Sequence, residues 1–170
     1  SSSSPRRSAP RSRILELTTT IRAPIARCFD LARSVELHAL STRQTDEEAV
    51  DGRTRGLLGP GEHVTWRARH LGVRQRLTSR ITIFEPPRRF RDSMVRGAFA
   101  RFDHDHWFAE ADGVTTMRDV FDYTSPLGPL GRLADALFLA AYLRRFLAER
   151  NAVLRRVAES DEWRALLPNP

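Results

Sequence analysis

The sequence predicts an α+β domain: a curved antiparallel sheet of six to seven strands, two short helices after the first strand, and a long C-terminal helix. Three observations predict it. Alternating apolar and polar runs are joined by turns too short for parallel crossovers, at Leu71-Gly72 and Asp112-Gly113. Pro24 follows the first alternating run, where proline suits the opening turn of a helix. Leu130, Leu133, Ala134, Leu137, Phe138 and Ala141 recur at helical spacing near the C-terminus. One face of such a sheet is apolar, and only the terminal helix carries enough apolar surface to cover it. A strongly curved sheet around one helix need not close tightly, so a cavity is expected between them.

Each element has its own signal. Residues 14–22 (ILELTTTIR) alternate and are rich in β-branched side chains, giving the first strand. From Pro24 a helix buries Ile25, Phe29, Leu31 and Ala32, and Ser34 then caps a second short helix to about Leu40. Residues 44–51 (QTDEEAVD) read as a short acidic edge strand, followed by a glycine-rich loop. Strands resume at Glu62. A turn at Leu71-Gly72 sets Trp66 opposite Leu77 and Val64 opposite Ser79, and the return strand runs through Ile81 and Ile83 until Pro86-Pro87. Residues 88–96 form the next strand. A three-residue loop at Gly97-Ala98-Phe99 would set Asp92 opposite His104, both inward; a two-residue loop would not. The long helix covers residues 130–159, with Arg144, Arg145, Arg150, Arg155 and Arg156 where cations suit the macrodipole. The domain is expected over residues 14–160, flanked by a disordered basic tail at 1–13 and a C-terminal tail at 161–170, the latter with one turn around Trp163.

Composition narrows the function classes. A chain of 170 residues, 41% hydrophobic and 29% charged, is one ordinary globular domain. All 28 basic residues are arginine, and the first thirteen residues hold four of them without an acid. The remainder is nearly balanced by 21 acidic residues, which argues against a nucleic-acid partner. Arginines 67, 69, 74, 76, 80 and 91 read as a solvated outer sheet face. Cys28 is the only cysteine and reads as a small core residue, so the expected location is a reducing one, the cytoplasm. The longest apolar run, residues 136–143 (ALFLAAYL), falls far short of the roughly 20 residues that span a bilayer. No integral membrane segment is expected.

The chemistry concentrates in residues 99–123. If Asp112-Gly113 is a two-residue turn, Phe108 faces Met117, His106 faces Asp119, His104 faces Phe121 and Phe102 faces Tyr123, all eight on one sheet face. The opposite face pairs Trp107 with Arg118, a cation–π candidate. It also pairs Asp103 with Asp122, a like-charge contact unless an arginine such as Arg101 bridges it. An apolar face holding two histidines, a carboxylate and a phenol admits three readings. Two histidines with Asp119 or Asp92 are zinc or iron ligand types, but residues two apart must converge on one ion and no third histidine is clearly placed. A histidine oriented by Asp119 could transfer protons. A self-satisfied network could shape a pocket and bind a ligand's polar end. The last is the favoured reading, with no metal and no cofactor expected.

Local motifs resemble one known family. They are Ile21-x-Ala23-Pro24; Trp66-x-Ala68 with Leu71-Gly72; Phe84-Glu85-Pro86-Pro87-x-x-Phe90-x-Asp92; Gly97-x-Phe99; His104-x-His106-x-Phe108; and Met117-x-Asp119-x-Phe121-x-Tyr123-x-x-Pro126-x-Gly128. Over about residues 14–159 the chain resembles the helix-grip (START and Bet v 1-like, SRPBCC) superfamily, in its bacterial cyclase/dehydrase-like branch. The resemblance implies an internal pocket for a small hydrophobic or amphipathic molecule of lipid, polyketide or aromatic type. The pocket wall is expected from Trp66, Leu77, Ile81, Met94, Phe102, Phe108, Met117, Phe121 and Tyr123 on the sheet, with Leu133, Leu137 and Ala141 on the helix. Polar contacts are expected from Asp92, His104, His106, Asp119 and Tyr123. The enzyme alternative is a polyketide cyclase/aromatase or dehydratase using His104, His106, Asp119 and Tyr123 for proton transfer.

Overall fold

The computed structural model describes residues 11–168; of the expected tails at 1–13 and 161–170, residues 1–10 and 169–170 lie outside the described residues. Seven strands make one antiparallel sheet: β1 (Arg13–Ile21), β2 (Glu48–Gly52), β3 (His63–His70), β4 (Val73–Glu85), β5 (Arg89–Arg96), β6 (Arg101–Ala111) and β7 (Val114–Thr124). Their order is β1-β7-β6-β5-β4-β3-β2, so the meander from β2 to β7 is completed by β1 at the far edge. The acidic strand stands at the other edge, as expected, but begins at Glu48 after a short 3-10 turn over Arg43–Thr45.

The hairpin registers follow the turns. Asp112 and Gly113 both adopt positive φ, 53° and 77°, as a two-residue hairpin turn requires, and Phe108, His106, His104 and Phe102 pair with Met117, Asp119, Phe121 and Tyr123. Leu71 and Gly72 turn the same way, pairing Trp66 with Leu77 and Val64 with Ser79. Asp92 pairs with His104, the register of the longer loop at Gly97. Irregularities between Thr78 and Ser79 and between Ile81 and Ile83 interrupt the β4–β5 ladder, where extra residues bend a strand.

Two helices, α1 (Ile25–Ala32) and α2 (Val35–Ser41), follow β1, and the Ser34 hydroxyl caps α2 by accepting from the Leu37 amide. Phe29 anchors the core beneath them, meeting Phe84, Phe90 and Phe108 edge-on at 5.5–5.6 Å between ring centroids. Cys28 is fully buried there.

The C-terminal helix is continuous but not uniform: α3 (Gly128–Ala134) passes through a wide π turn at Asp135–Leu139 into α4 (Ala140–Glu159). In its first half the inward face is Gly131 and Asp135, four residues apart. The Asp135 carboxylate takes the Tyr123 hydroxyl at 2.5 Å and Arg13 at 2.8 Å. Gly131 lies so close to the Pro126 carbonyl that a Cβ would stand 1.6 Å from its oxygen. This corrects the expected helix contribution to the pocket: Leu133 and Leu137 are 57% and 71% exposed, and Ala141 is exposed too. Polar anchoring of Asp135 turns their stripe outward. The wide turn then adds a residue to the helical register, a phase change of about 100°, before the buried stripe Leu147, Leu154 and Val157 of α4 begins.

Beyond α4, the C-terminal segment packs rather than trails. The short helix α5 (Trp163–Leu166) sets Trp163, Leu166 and Leu167 against the core, with Arg27 over the Trp163 ring at 4.2 Å. On the outer sheet face, Arg101 bridges Asp103 and Asp122, and Asp105 accepts two bonds from Arg89 on Oδ1 and two from Arg91 on Oδ2. Trp107 is covered by Arg89 at 4.2 Å rather than by Arg118, whose guanidinium turns to Glu16.

Candidate ligand cavity

Between the inner sheet face and α4 lies a cavity of about 330 Å³. That is within the size range of small-molecule sites. Its walls come from alternate residues of β3 to β7, since every second side chain of a strand points inward. Val64, Trp66 and Ala68 come from β3, Leu77 and Ile81 from β4, Phe102 from β6, and Phe121 from β7. Across from them α4 and the preceding turn supply Leu139, Leu143, Phe146 and Leu147 at helical spacing. Most of the lining is apolar, and the polar groups gather in two clusters.

The inner cluster is built on the β5–β6–β7 ladder. His104 Nε2 and His106 Nδ1 both face Asp119 Oδ1, at 2.9 and 3.0 Å, the second out of line for a hydrogen bond. His106 Nε2 bonds Asp92 Oδ1 at 2.9 Å. Asn151 of α4 donates to Asp119 Oδ2 at 2.6 Å, and the Arg150 guanidinium stands 3.8 Å from Oδ1. The rings are held in place by packing: Phe90 stacks on His106 at 4.2 Å, and the two imidazoles lie 3.9 Å apart.

Burial alone would push the Asp119 carboxyl up, but the hydrogen bond from His104 and the close His106 ring bring it well below its ordinary range. Asp92 is lowered for the same reasons, burial being outweighed by His106 and then His104. Burial also works to lower His106, yet the carboxylates of Asp119 and Asp92 outweigh it and raise its pKa. His104 goes the other way: burial and the neighbouring His106 lower it more than Asp119 can restore. The two rings, side by side, are therefore pushed in opposite directions, His106 up and His104 down. Both line the cavity, as do Asp92 and Arg150.

The outer cluster joins four separate elements. The Glu47 carboxylate accepts from His38 Nε2 at 2.5 Å and His70 Nε2 at 3.2 Å. That tautomer leaves His70 Nδ1 to accept the Tyr142 hydroxyl at 2.7 Å. His38 lies against the Trp66 ring at 4.2 Å. Burial would raise Glu47, but the charge and hydrogen bonds of His38, with the bond from His70, lower it from 4.5 to about 2. All four residues line the cavity. None was expected from the sequence: they are 9, 23 and 72 residues apart, so no local spacing connects them.

The expected site residues divide cleanly. Trp66, Leu77, Ile81, Asp92, Phe102, His104, His106 and Phe121 line the cavity. Asp119 is fully buried behind the histidines, orienting them without reaching the wall. Tyr123 is also fully buried and turned to Asp135, and burial together with that bond raises its pKa. Phe108 and Met117 belong to the core around Phe29, and Met94 packs with the cluster of Leu15, Phe102 and Leu147. Asp119 was expected as a polar contact and the other four in the wall; all five lie off the cavity lining, because the inner face is longer than the cavity and its ends are filled by α1 and by the wide turn that carries Asp135 and Leu139.

A sheet wrapped on a terminal helix, with a polar-ended hollow between them, defines a helix-grip domain. The chain belongs to the family described as polyketide cyclase / dehydrase and lipid transport, whose model matches residues 13–159. Solved structures share the fold at low identity. A protein from Thermus thermophilus superposes with a TM-score of 0.67 at 18% identity, covering 86% of this chain and 99% of its own. An aromatase/cyclase from Streptomyces sp. R1128 gives 0.62 at 16%, covering 86% and 96%. The major latex-like protein 151 of Panax ginseng gives 0.62 at 14%, covering 88% and 99%. No curated protein matches the sequence.

Proposed function

We propose that this protein binds one small amphipathic molecule, of lipid, polyketide or aromatic type, in the cavity between sheet and α4. The observation that carries the reading is the cavity itself: apolar walls ending in two polar clusters whose bonds hold them ready. An apolar body would gain about 25 cal/mol for each Å² it removes from water. The polar clusters would select ligands bearing a hydroxyl, carbonyl or carboxylate, since an unmatched group there would lose its water without replacement. The only thiol is buried, in keeping with a reducing cytoplasmic location, and among the described residues no helix is long and apolar enough to cross a membrane. Native mass spectrometry of protein purified without detergent tests the reading. A co-purifying adduct of constant mass is the expected result; a bare chain that also takes up no fatty acid or polycyclic aromatic contradicts it.

A second reading is proton-transfer catalysis of the cyclase or dehydratase kind. The observation favouring it is the pair of adjacent imidazoles on the cavity wall, 3.9 Å apart, whose surroundings push His106 up and His104 down, the separation an acid and a base within one site need. Tyr123 drops out of that scheme because its hydroxyl is committed to Asp135. His106→Ala separates the readings: it abolishes turnover in an enzyme and barely changes affinity for an apolar ligand in a carrier.

A further inference from the structure

We infer that Asp92, His104 and His106 form a binding site for one divalent metal ion of the zinc, cobalt or ferrous class, opening onto the cavity. The donor atoms of these three residues lie within 4.8 Å of one another. His104 Nδ1 and His106 Nε2 both turn to Asp92 Oδ1, at 3.9 and 2.9 Å. Donors at zinc-ligand distance in a tetrahedron stand roughly 3.3–3.5 Å apart, so the triangle needs only small adjustment.

The stronger argument is what holds the far side of each ring. His104 Nε2 and His106 Nδ1 both face one oxygen, Asp119 Oδ1. With its proton on that side, His104 Nδ1 is a lone pair on the side of Asp92, and a metal ion would take the place of the proton that His106 Nε2 shares with Asp92. A carboxylate hydrogen-bonded behind a ligating histidine orients the imidazole and raises its basicity; Asp119 does this for His104 and stands 3.0 Å from His106 Nδ1. Asp119 is itself fixed by Asn151 at 2.6 Å, and none of its surface is exposed. Two histidines and one carboxylate leave coordination positions free, and all three residues line the cavity. A hydroxyl, carbonyl or carboxylate of a bound molecule could occupy them. The local charge agrees: two carboxylates, half-buried Asp92 and fully buried Asp119, share the one nearby guanidinium of Arg150.

The sequence alone argued against a metal, because residues two apart must converge on one ion and no third histidine was clearly placed. The β5–β6 register sets Asp92, one of the two candidate carboxylates, opposite His104, where it stands as the third donor. The site stands whatever molecule the cavity takes, so its failure would leave the binding reading untouched.

Cobalt(II) titration of chelator-stripped protein, followed by visible absorption and calorimetry, tests the inference. The expected result is one equivalent bound, with the intense bands of a four- or five-coordinate ion that zinc(II) bleaches. His104→Ala and the near-isosteric Asp92→Asn should each weaken binding at least tenfold, with circular dichroism showing the fold retained. Asn151→Ala, acting only through Asp119, should weaken it by about tenfold. His63→Ala, outside the cavity, should change nothing. Absorption of the aquo ion alone, or binding that survives both His104→Ala and Asp92→Asn, overturns the inference.

Discussion

The two polar clusters of the cavity use the same device, one carboxylate gripping two imidazoles, yet they are made differently. The inner one hangs on adjacent strands, and Asp119, its centre, is sealed from water behind the rings. The outer one ties α2, the approach to β2, β3 and α4 together at Glu47, with His38 and His70 about a quarter exposed. The inner cluster is positioned by the sheet and serves as a fixed wall. The outer cluster has no ladder behind it and itself holds the elements around the cavity in place. Removing the centre of each should therefore have different consequences.

The largest effect is expected at Asp119. Asp119→Ala leaves His104 and the Asn151 amide without their partner and Arg150 without its nearest carboxylate, and removing one side of a buried ionic set costs about 3–5 kcal/mol. Urea unfolding measures it; a loss under about 1 kcal/mol would show that water replaces the carboxylate.

The outer cluster should show itself in pH. The folded-state pKa of Glu47 is depressed from 4.5 to about 2, so its contribution is fully present above 4.5 and disappears as pH falls toward about 2. The stability difference between wild type and Glu47→Gln should shrink across that interval, by an amount on the order of 2–3 kcal/mol. A difference that stays constant from pH 6 to pH 2 would mean that Glu47 is not ionised against His38 and His70. A smaller step follows at Tyr142. Tyr142→Phe removes one hydroxyl bond to His70 and should cost about 0.5–1.5 kcal/mol in the same unfolding assay.

The two halves of the terminal helix sharpen the contrast between framework and cavity. Leu147→Ala, on the buried stripe, should cost about 2–5 kcal/mol. Leu133→Ser, on the exposed face, should stay within about 0.5 kcal/mol of wild type, and a larger loss would place that face indoors.

How much was legible in the sequence follows from range. Asp112-Gly113 and Leu71-Gly72 are local signals that set whole ladders, so His104, His106, Asp119 and Phe121 could be placed on one face before any coordinates. Asp92 depended on the loop at Gly97, whose length the sequence left open. The cluster of Glu47, His38, His70 and Tyr142 was invisible because tertiary packing alone assembles it. The helix stripe of Leu133, Leu137 and Ala141 misled for a physical reason: apolar spacing marks a face but cannot foresee that Tyr123 and Arg13 draw Asp135 inward. The wide turn that follows leaves no composition signal.

The central claim, an open hollow behind Trp66 and Leu77 that accepts an amphipathic guest, is tested most directly by filling it. Titration with the apolar anionic dye 1-anilinonaphthalene-8-sulfonate should show one saturable site in the native protein. Leu77→Trp, with native circular dichroism, should abolish it by occupying the space. Equal affinity and stoichiometry in the two proteins would contradict the account.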